Sequence, residues 1–446
     1  MGVLTDHKLD SFLRKLAQQN LVLKVRNGEL QLKGRNGKLS KEQIALIKKD
    51  ATIIDFIKSN KLNLIQHLAT HSTDNGPVGK AASNIESMYE LSPVQEGMLF
   101  HGLFDNESTA YIEQYVFDFE QGVDIDAFRK SMEYVMHHHT ILRSSFVHDQ
   151  FSLPVQCVMR KVNLPLQVLD FSELTPEKRA KKLDWVLERD QNTRFDFAKA
   201  PLMRITAIQM EGEAYKVVWT YHHILLDGWS MPIITAELIE AYECYTKGVA
   251  PPQKEVDAYE DFIKYLKSKD PFEEERFWTT YLEDFDTPSL LPFVDDKASR
   301  NNGGELKEIT FMLDKESTRR LRAFGQRHRI TVNTVIQCIW SLMLARYTGN
   351  PDVVFGVTVS GRAGDMEGAE EKVGMFINTI PIRAKVNEAQ DLIEWMMEVQ
   401  KAHTAAREYQ HSAISNIQQW NKITGDFFDS IIVYENFPME EGDIEE

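Results

Sequence analysis

The spacing of apolar residues changes along this chain, and each change marks an element. Leu9, Phe12, Leu13 and Leu16 recur at helical spacing up to Asn20. Leu21 to Val25 then alternate as a strand, Asn27-Gly28 supplies a dipeptide favoured in two-residue hairpins, and Glu29 to Lys33 return as a second strand. Ser40-Lys-Glu-Gln43 matches a capping box opening a helix through Ile44 and Ile47, and Ile53, Ile54 and Ile57 continue with another. Residues 1–69 thus read as a small α+β module with a hairpin. Residues 70–86, small and polar, read as a linker. A large α/β region follows from Met88. Ser92 and Pro93 open a helix through His101, with further helices at Gly122 to Met136 and Pro176 to Arg189. Strands are expected at Val155 to Met159 and Lys216 to Tyr221, and Ser230 with Pro232 starts a helix that Gly248 ends. Tyr259 to Tyr265 and Phe277-Trp278 are helical. The polar stretch Asp295 to Gly304 precedes a second half in which helices at Thr331 to Gly349 and Asp391 to Glu408 alternate with strands at Val353 to Ser360, Val373 to Arg383 and Phe428 to Glu435. The boundary between the two halves is placed at 292/293.

At 446 residues the chain exceeds one ordinary core. No apolar run approaches the roughly 20 residues of a membrane span, and the N-terminus lacks a signal peptide's charged and apolar regions, so a cytoplasmic protein is expected. Cys157, Cys244 and Cys338 are odd in number and set among apolar residues, which fits reduced thiols. A net charge of −16 argues against nucleic-acid binding. That average hides an asymmetry: residues 1–69 hold 13 Lys plus Arg against 6 Asp plus Glu, a net of +7, leaving −23 for the remainder. Lys24, Arg26, Lys33 and Arg35 lie on or beside the short hairpin. They either keep an exposed strand edge soluble or receive an acidic peptide added as a further strand.

The densest chemistry stands at Tyr221-His-His-Ile-Leu-Leu-Asp-Gly-Trp-Ser230. Neighbouring side chains of a strand point to opposite faces, so His222 and His223 divide between packing and a cavity. A neutral imidazole accepts a proton from an attacking amine or hydroxyl, or holds that nucleophile by a hydrogen bond. Gly228 lets a backbone N–H approach a reacting group closely. Asp227 either orients the imidazole or turns away to pair with an arginine. Arg143 offers a permanently charged fork for a carboxylate. His137-His138-His139 is not expected to bind metal, because ligands on one face need wider spacing and further partners.

His-His-x-x-x-Asp-Gly, at His222, His223, Asp227 and Gly228, resembles the core motif of the condensation domains of nonribosomal peptide synthetases. Leu91 to His101, Leu142-Arg-Ser-Ser-Phe146, Tyr259 to Tyr265, Val373 to Arg383 and Glu408-Tyr-Gln-His-Ser412 resemble other family motifs in the family's order, so the likeness covers residues 87–446. The first 69 residues are similar to the N-terminal docking domains of such synthetases, of the tubulysin-synthetase type. The resemblance implies two lobes similar to chloramphenicol acetyltransferase, arranged as a V about a tunnel. It makes His223 catalytic and His222 structural, pairs Asp227 with Arg143, puts Gly228 on the acceptor side, and makes Trp229, Ser230, Ser360, Arg362 and Asn378 tunnel candidates.

The implied reaction joins a carrier-bound donor thioester to the amine of a carrier-bound acceptor. Phosphopantetheine is carried by the partner carrier proteins, with no cofactor or metal on this chain. An acidic C-terminal peptide of an upstream synthetase is the expected docking partner. Two features depart from the family pattern. His138-His139-Thr140 stands where Arg-His-Glu is common, and the chain stops soon after Phe437-Pro438, where a truncated second lobe is expected. An epimerisation domain shares the fold and the histidines, although Trp229-Ser230 and Gln95 to His101 look more like condensation; His222 counts against cyclisation. A docking platform with an inactive condensation region is the alternative outside enzymology.

Overall fold

The computed structural model describes residues 84–104, 109, 111–148, 153–294 and 307–435, together with the hairpin strands and scattered positions between Phe12 and Leu64. The helix expected from Ser40, residues 70–83 of the linker, the whole polar stretch Asp295 to Gly304, and Arg35 lie outside these residues. Strands β1 (Leu21–Arg26) and β2 (Glu29–Gly34) pair antiparallel, with Arg26 opposite Glu29, so two residues join them as the Asn-Gly dipeptide requires. Leu21 and Leu23, two residues apart on one face, are buried with Leu16, Ile53 and Leu64 in a small core of their own.

Compactness divides the chain into one unit of Met1–Leu226 with Ile233–Ile263 and another of Asp227–Pro232 with Lys264–Glu446. In the first unit, β3 (Ile85–Glu90), β6 (Val155–Met159) and β5 (Ser144–Val147) form a three-stranded sheet in that order. β3 starts inside the stretch read as linker, because Ile85 already pairs with Met159. A second sheet has the order β4 (Ile112–Phe119), β9 (Tyr215–His222), β8 (Met203–Gln209) and β7 (Leu166–Asp170). β9 is central and antiparallel to both neighbours, and its residues from Val217 to His222 are buried. That explains its unbroken apolar run, the mark of a strand covered on both faces. Helices α1 (Pro93–Phe104), α2 (Ile125–His138) and α3 (Pro176–Gln191) accompany these sheets. Asp124 caps α2 by accepting the N–H groups of Asp126 and Ala127, both at 3.0 Å.

Helix α4 (Ser230–Thr246) is shared between the units: its first turn belongs to the second, and the rest to the first. The second unit also contains α5 (Glu260–Ser268), α6 (Pro271–Tyr281), α7 (Lys315–His328), α8 (Val332–Thr348), α9 (Leu392–Arg407) and α10 (Ile414–Trp420), with α5 beginning just before the division. Its sheet has β10 (Asp352–Val359) between β11 (Asn378–Lys385), antiparallel, and β12 (Ile431–Ile432), parallel. The boundary expected at 292/293 falls instead at 263/264, because Trp278 and Leu282 are buried in one core with Phe355, Ile382 and Trp395. The strand expected from Phe428 shortens to two residues. The strand expected from Val373 begins only at Asn378; Val373 to Phe376 are buried as a loop whose backbone is bonded elsewhere, as described below.

The three cysteines are free, and burial pushes the Cys157 and Cys338 thiols up to about 12. Such thiols are inert at neutral pH. Among the described residues no helix is long and apolar enough to cross a membrane.

Candidate functional site

At the end of β9 the two histidines part company. His222 donates its backbone N–H to Leu202 O at 2.9 Å, and His223 donates to Tyr111 O at 2.7 Å, so the segments on either side fix both main chains. The His222 ring is buried edge-on to Phe197, with centroids 4.9 Å apart, and its Nδ1 accepts the N–H of Ile224 at 3.1 Å. Burial first, then the neighbouring His223 and Arg194, pull its pKa down to about 3. His222 is therefore a neutral packing group. Its ring also walls a small cavity with His101, Tyr111, Arg194 and Phe197. His223 is half-buried, and its Nδ1 is buried without a hydrogen-bond partner among the described residues. One ring is committed and its neighbour is not.

The turn after His223 is held from within the first unit. Leu225 N–H and Leu226 N–H return to the carbonyls of His222 and His223, at 3.1 and 3.2 Å. Gln95, fully buried on α1, donates to Ile224 O at 3.1 Å and to Gln156 Oε1 at 3.2 Å. Its own Oε1 accepts the Ser92 N–H at 3.1 Å while Ser92 Oγ accepts the Gln95 N–H at 3.3 Å, a reciprocal cap. Gln156 Nε2 completes the chain to Tyr89 Oη and Ser144 Oγ, both at 2.8 Å. Sequence reasoning missed this network; a Ser-x-x-Gln cap was its only visible trace.

In the second unit Asp227 is fully buried, and its carboxylate is met by a fork. Arg362 donates Nη1 to Oδ2 at 2.5 Å and Nη2 to Oδ1 at 3.1 Å, and its guanidinium lies over the Phe376 ring, 4.4 Å from the centroid. Ser230 N–H at 3.0 Å and Phe376 N–H at 3.1 Å add two more donors. Asp227 N–H in turn reaches Gly374 O at 3.1 Å, and Gly374 N–H donates to Ser230 Oγ at 3.0 Å. These bonds take the backbone groups that a strand over Val373 to Phe376 would have used. Asp227 is thus a clamp, but its partner is not Arg143. That residue, in the first unit, donates to Met136 O at 2.9 Å, His137 O at 3.3 Å and Glu86 at 2.8 Å, closing the C-terminal turn of α2. Its fork is fully used where it stands.

The remaining candidates sort by what they touch. Gly361 has φ +66°, and a Cβ there would fall 1.7 Å from Phe376 O, so only glycine lets Ser360 to Arg362 approach that loop. Asn378 gives both amide hydrogens to the carbonyls of Gln410 and Ser412, each at 2.8 Å, which makes it a tie for that segment. Gly228, Trp229 and Ser360 are half-buried, whereas Ser230 is buried. Lys24 and Arg26 lie on β1 and Lys33 on β2. His137 is exposed, while the His138 and His139 rings meet on Glu237.

A family model described as "Condensation domain" matches residues 85–446. One of the linear gramicidin synthase proteins of Brevibacillus parabrevis is 37% identical over 363 residues, 80% of this chain and 5% of that protein. Bacitracin synthase 3 of Bacillus licheniformis is 35% identical over 368 residues, 82% of this chain and 6% of that protein. The chain therefore spans only a small fraction of the length of these curated relatives. Among solved structures, the first condensation domain of the CDA synthetase is similar with a TM-score of 0.62 at 18% identity, covering 80% of this chain and 85% of that one. The starter condensation domain of rhizomide synthetase gives a TM-score of 0.62 at 17% identity, covering 79% of each. These likenesses show the mixed α/β fold of two lobes.

Proposed function

This chain belongs to the condensation-domain family, and on that premise we propose that it forms peptide bonds in nonribosomal peptide synthesis, with its first 69 residues docking an upstream synthetase. The donor is an aminoacyl or peptidyl thioester, and the acceptor an amine. Both arrive on phosphopantetheine arms of carrier proteins. The acceptor nitrogen attacks the thioester carbonyl, the C–N bond forms, the C–S bond breaks, and the amine's proton passes to the leaving thiolate through His223 or solvent. The observation that carries this reading is the uncommitted imidazole of His223 beside a neutral, packed His222 and a clamped Asp227. An imidazole whose Nδ1 is unclaimed by protein is free to hold the attacking amine or take its proton. Asp227, facing Arg362 and two backbone N–H groups, serves geometry and not proton transfer. Gly228 supports the acceptor side by presenting backbone at close range.

Dipeptide formation from two separately loaded carriers tests the assignment. His223→Ala is expected to lower the rate by about 10²–10⁴-fold, the range for a positioned acid or base, while leaving thermal unfolding unchanged. Condensation at the wild-type rate in that variant would sink the catalytic role. Transfer of an α-proton without peptide-bond formation would instead favour epimerisation.

A further inference from the structure

We propose that His138, His139 and Glu237 form a binding site for one divalent transition cation of the zinc class. Two consecutive histidines reach one carboxylate because the backbone changes between them. His138 is the last residue of α2, whereas His139 caps it in an extended conformation, φ −98° and ψ 112°. The rings then lie with centroids 4.3 Å apart, so the objection that neighbouring side chains diverge does not hold here. His138 Nδ1 and His139 Nε2 each lie 2.9 Å from Glu237 Oε2, offered by α4. Two imidazoles and a carboxylate are the donor set that first-row divalent ions take, and one that magnesium and calcium, which require oxygen, do not.

The surroundings are arranged as outer partners of such a site. The buried His139 ring holds Asp257 Oδ2 at 2.9 Å through Nδ1, which leaves Nε2 as the ligating nitrogen. Asp257 is itself pinned, donating its N–H to His138 O at 2.9 Å and accepting the Thr140 N–H at 3.0 Å. Lys254 takes the other Glu237 oxygen, Oε1, at 3.3 Å, which leaves Oε2 toward the two rings. Around a tetrahedral ion with bonds of about 2.0–2.1 Å, neighbouring ligand atoms stand roughly 3.3 Å apart, so side-chain shifts of a few tenths of an ångström admit the ion. The His138 and Glu237 side chains keep 13% and 11% of their surface exposed, so water can enter and complete the coordination. The bound ion would tie the end of α2 to the helix that follows the histidine motif.

Calorimetric titration of the full chain, untagged and stripped with chelator, checks this without reference to condensation. One equivalent of Zn²⁺ is expected to bind with proton release, to raise the melting temperature, and to be displaced by chelator but not by Mg²⁺. His138→Ala and Asp257→Asn are each expected to weaken binding by about 10–100-fold. The metal-free His138→Ala protein should melt with the metal-free wild type, which separates lost ligation from lost folding. Absence of saturable binding would overturn the site, leaving a proton and not a metal between the rings and Glu237. Binding at wild-type affinity in both variants, or displacement by Mg²⁺, would overturn it equally.

Discussion

Arg362 and His222 show how single residues decide what the motif does. Asp227 is a fully buried carboxylate whose charge is matched by the Arg362 fork. Arg362→Ala would leave that charge unpaired in the interior, a loss of roughly 3–5 kcal/mol, and Arg362→Lys would not restore the two-pronged geometry. Thermal unfolding of both variants reads this; a melting temperature equal to wild type in either would contradict the clamp. His222 carries a separate prediction, in acid. The folded chain keeps its ring neutral down to about pH 3, against an ordinary histidine value of 6.5. The unfolded chain therefore takes up this proton first, and stability falls as pH drops through that window, by up to about 1.4 kcal/mol per unit from this group. Denaturant titrations from pH 7 to pH 4 should show a shallower decline in His222→Asn; parallel curves would refute it.

At the scale of elements, what the sequence revealed depended on how local the cause was. The hairpin, the cap of α1 and the left-handed Gly349 that ends α8 follow from residues within a turn of one another, and all were legible. The central strand β9 announced itself through its continuous apolar run. Its neighbours β4 and β8 did not: β4 is largely unburied, interleaves polar residues and finds its partner about 100 residues along the chain, while Arg204, Thr206 and Gln209 interrupt the apolar pattern of the mostly buried β8. Val373 to Phe376 had the apolar composition of a strand. The groups that claim its backbone, Asp227 and Ser230, lie more than 140 residues earlier. Asp227 and its true arginine are likewise 135 residues apart, and no spacing rule chooses between Arg143 and Arg362. The split of the histidine pair into one packed ring and one unpartnered ring was readable from strand alternation. Gln95, which grips the turn after that pair, was not, since a buried glutamine on a helix looks like any polar position.

Over the whole molecule, charge is the property that organises partners. The basic N-terminal module precedes an acidic remainder, so an acidic peptide is drawn to the first and repelled by the second. Binding of an acidic C-terminal tail peptide to the full chain is expected to weaken as salt rises through the physiological range, with amide shift changes concentrated in Leu21–Arg26 and Glu29–Gly34. Affinity independent of salt, or unmoved hairpin amides, would leave the docking role without support. The division of the chain bears on engineering as well. Asp227–Pro232 counts with the second unit although the chain on both sides of it counts with the first. Exchanging one lobe for a relative's by a single splice near residue 263 would therefore deliver an Arg362 without the Asp227 it evolved beside. A workable lobe chimera needs three junctions, with six residues of the histidine motif's loop and helix start travelling as cargo of the lobe they do not adjoin in sequence.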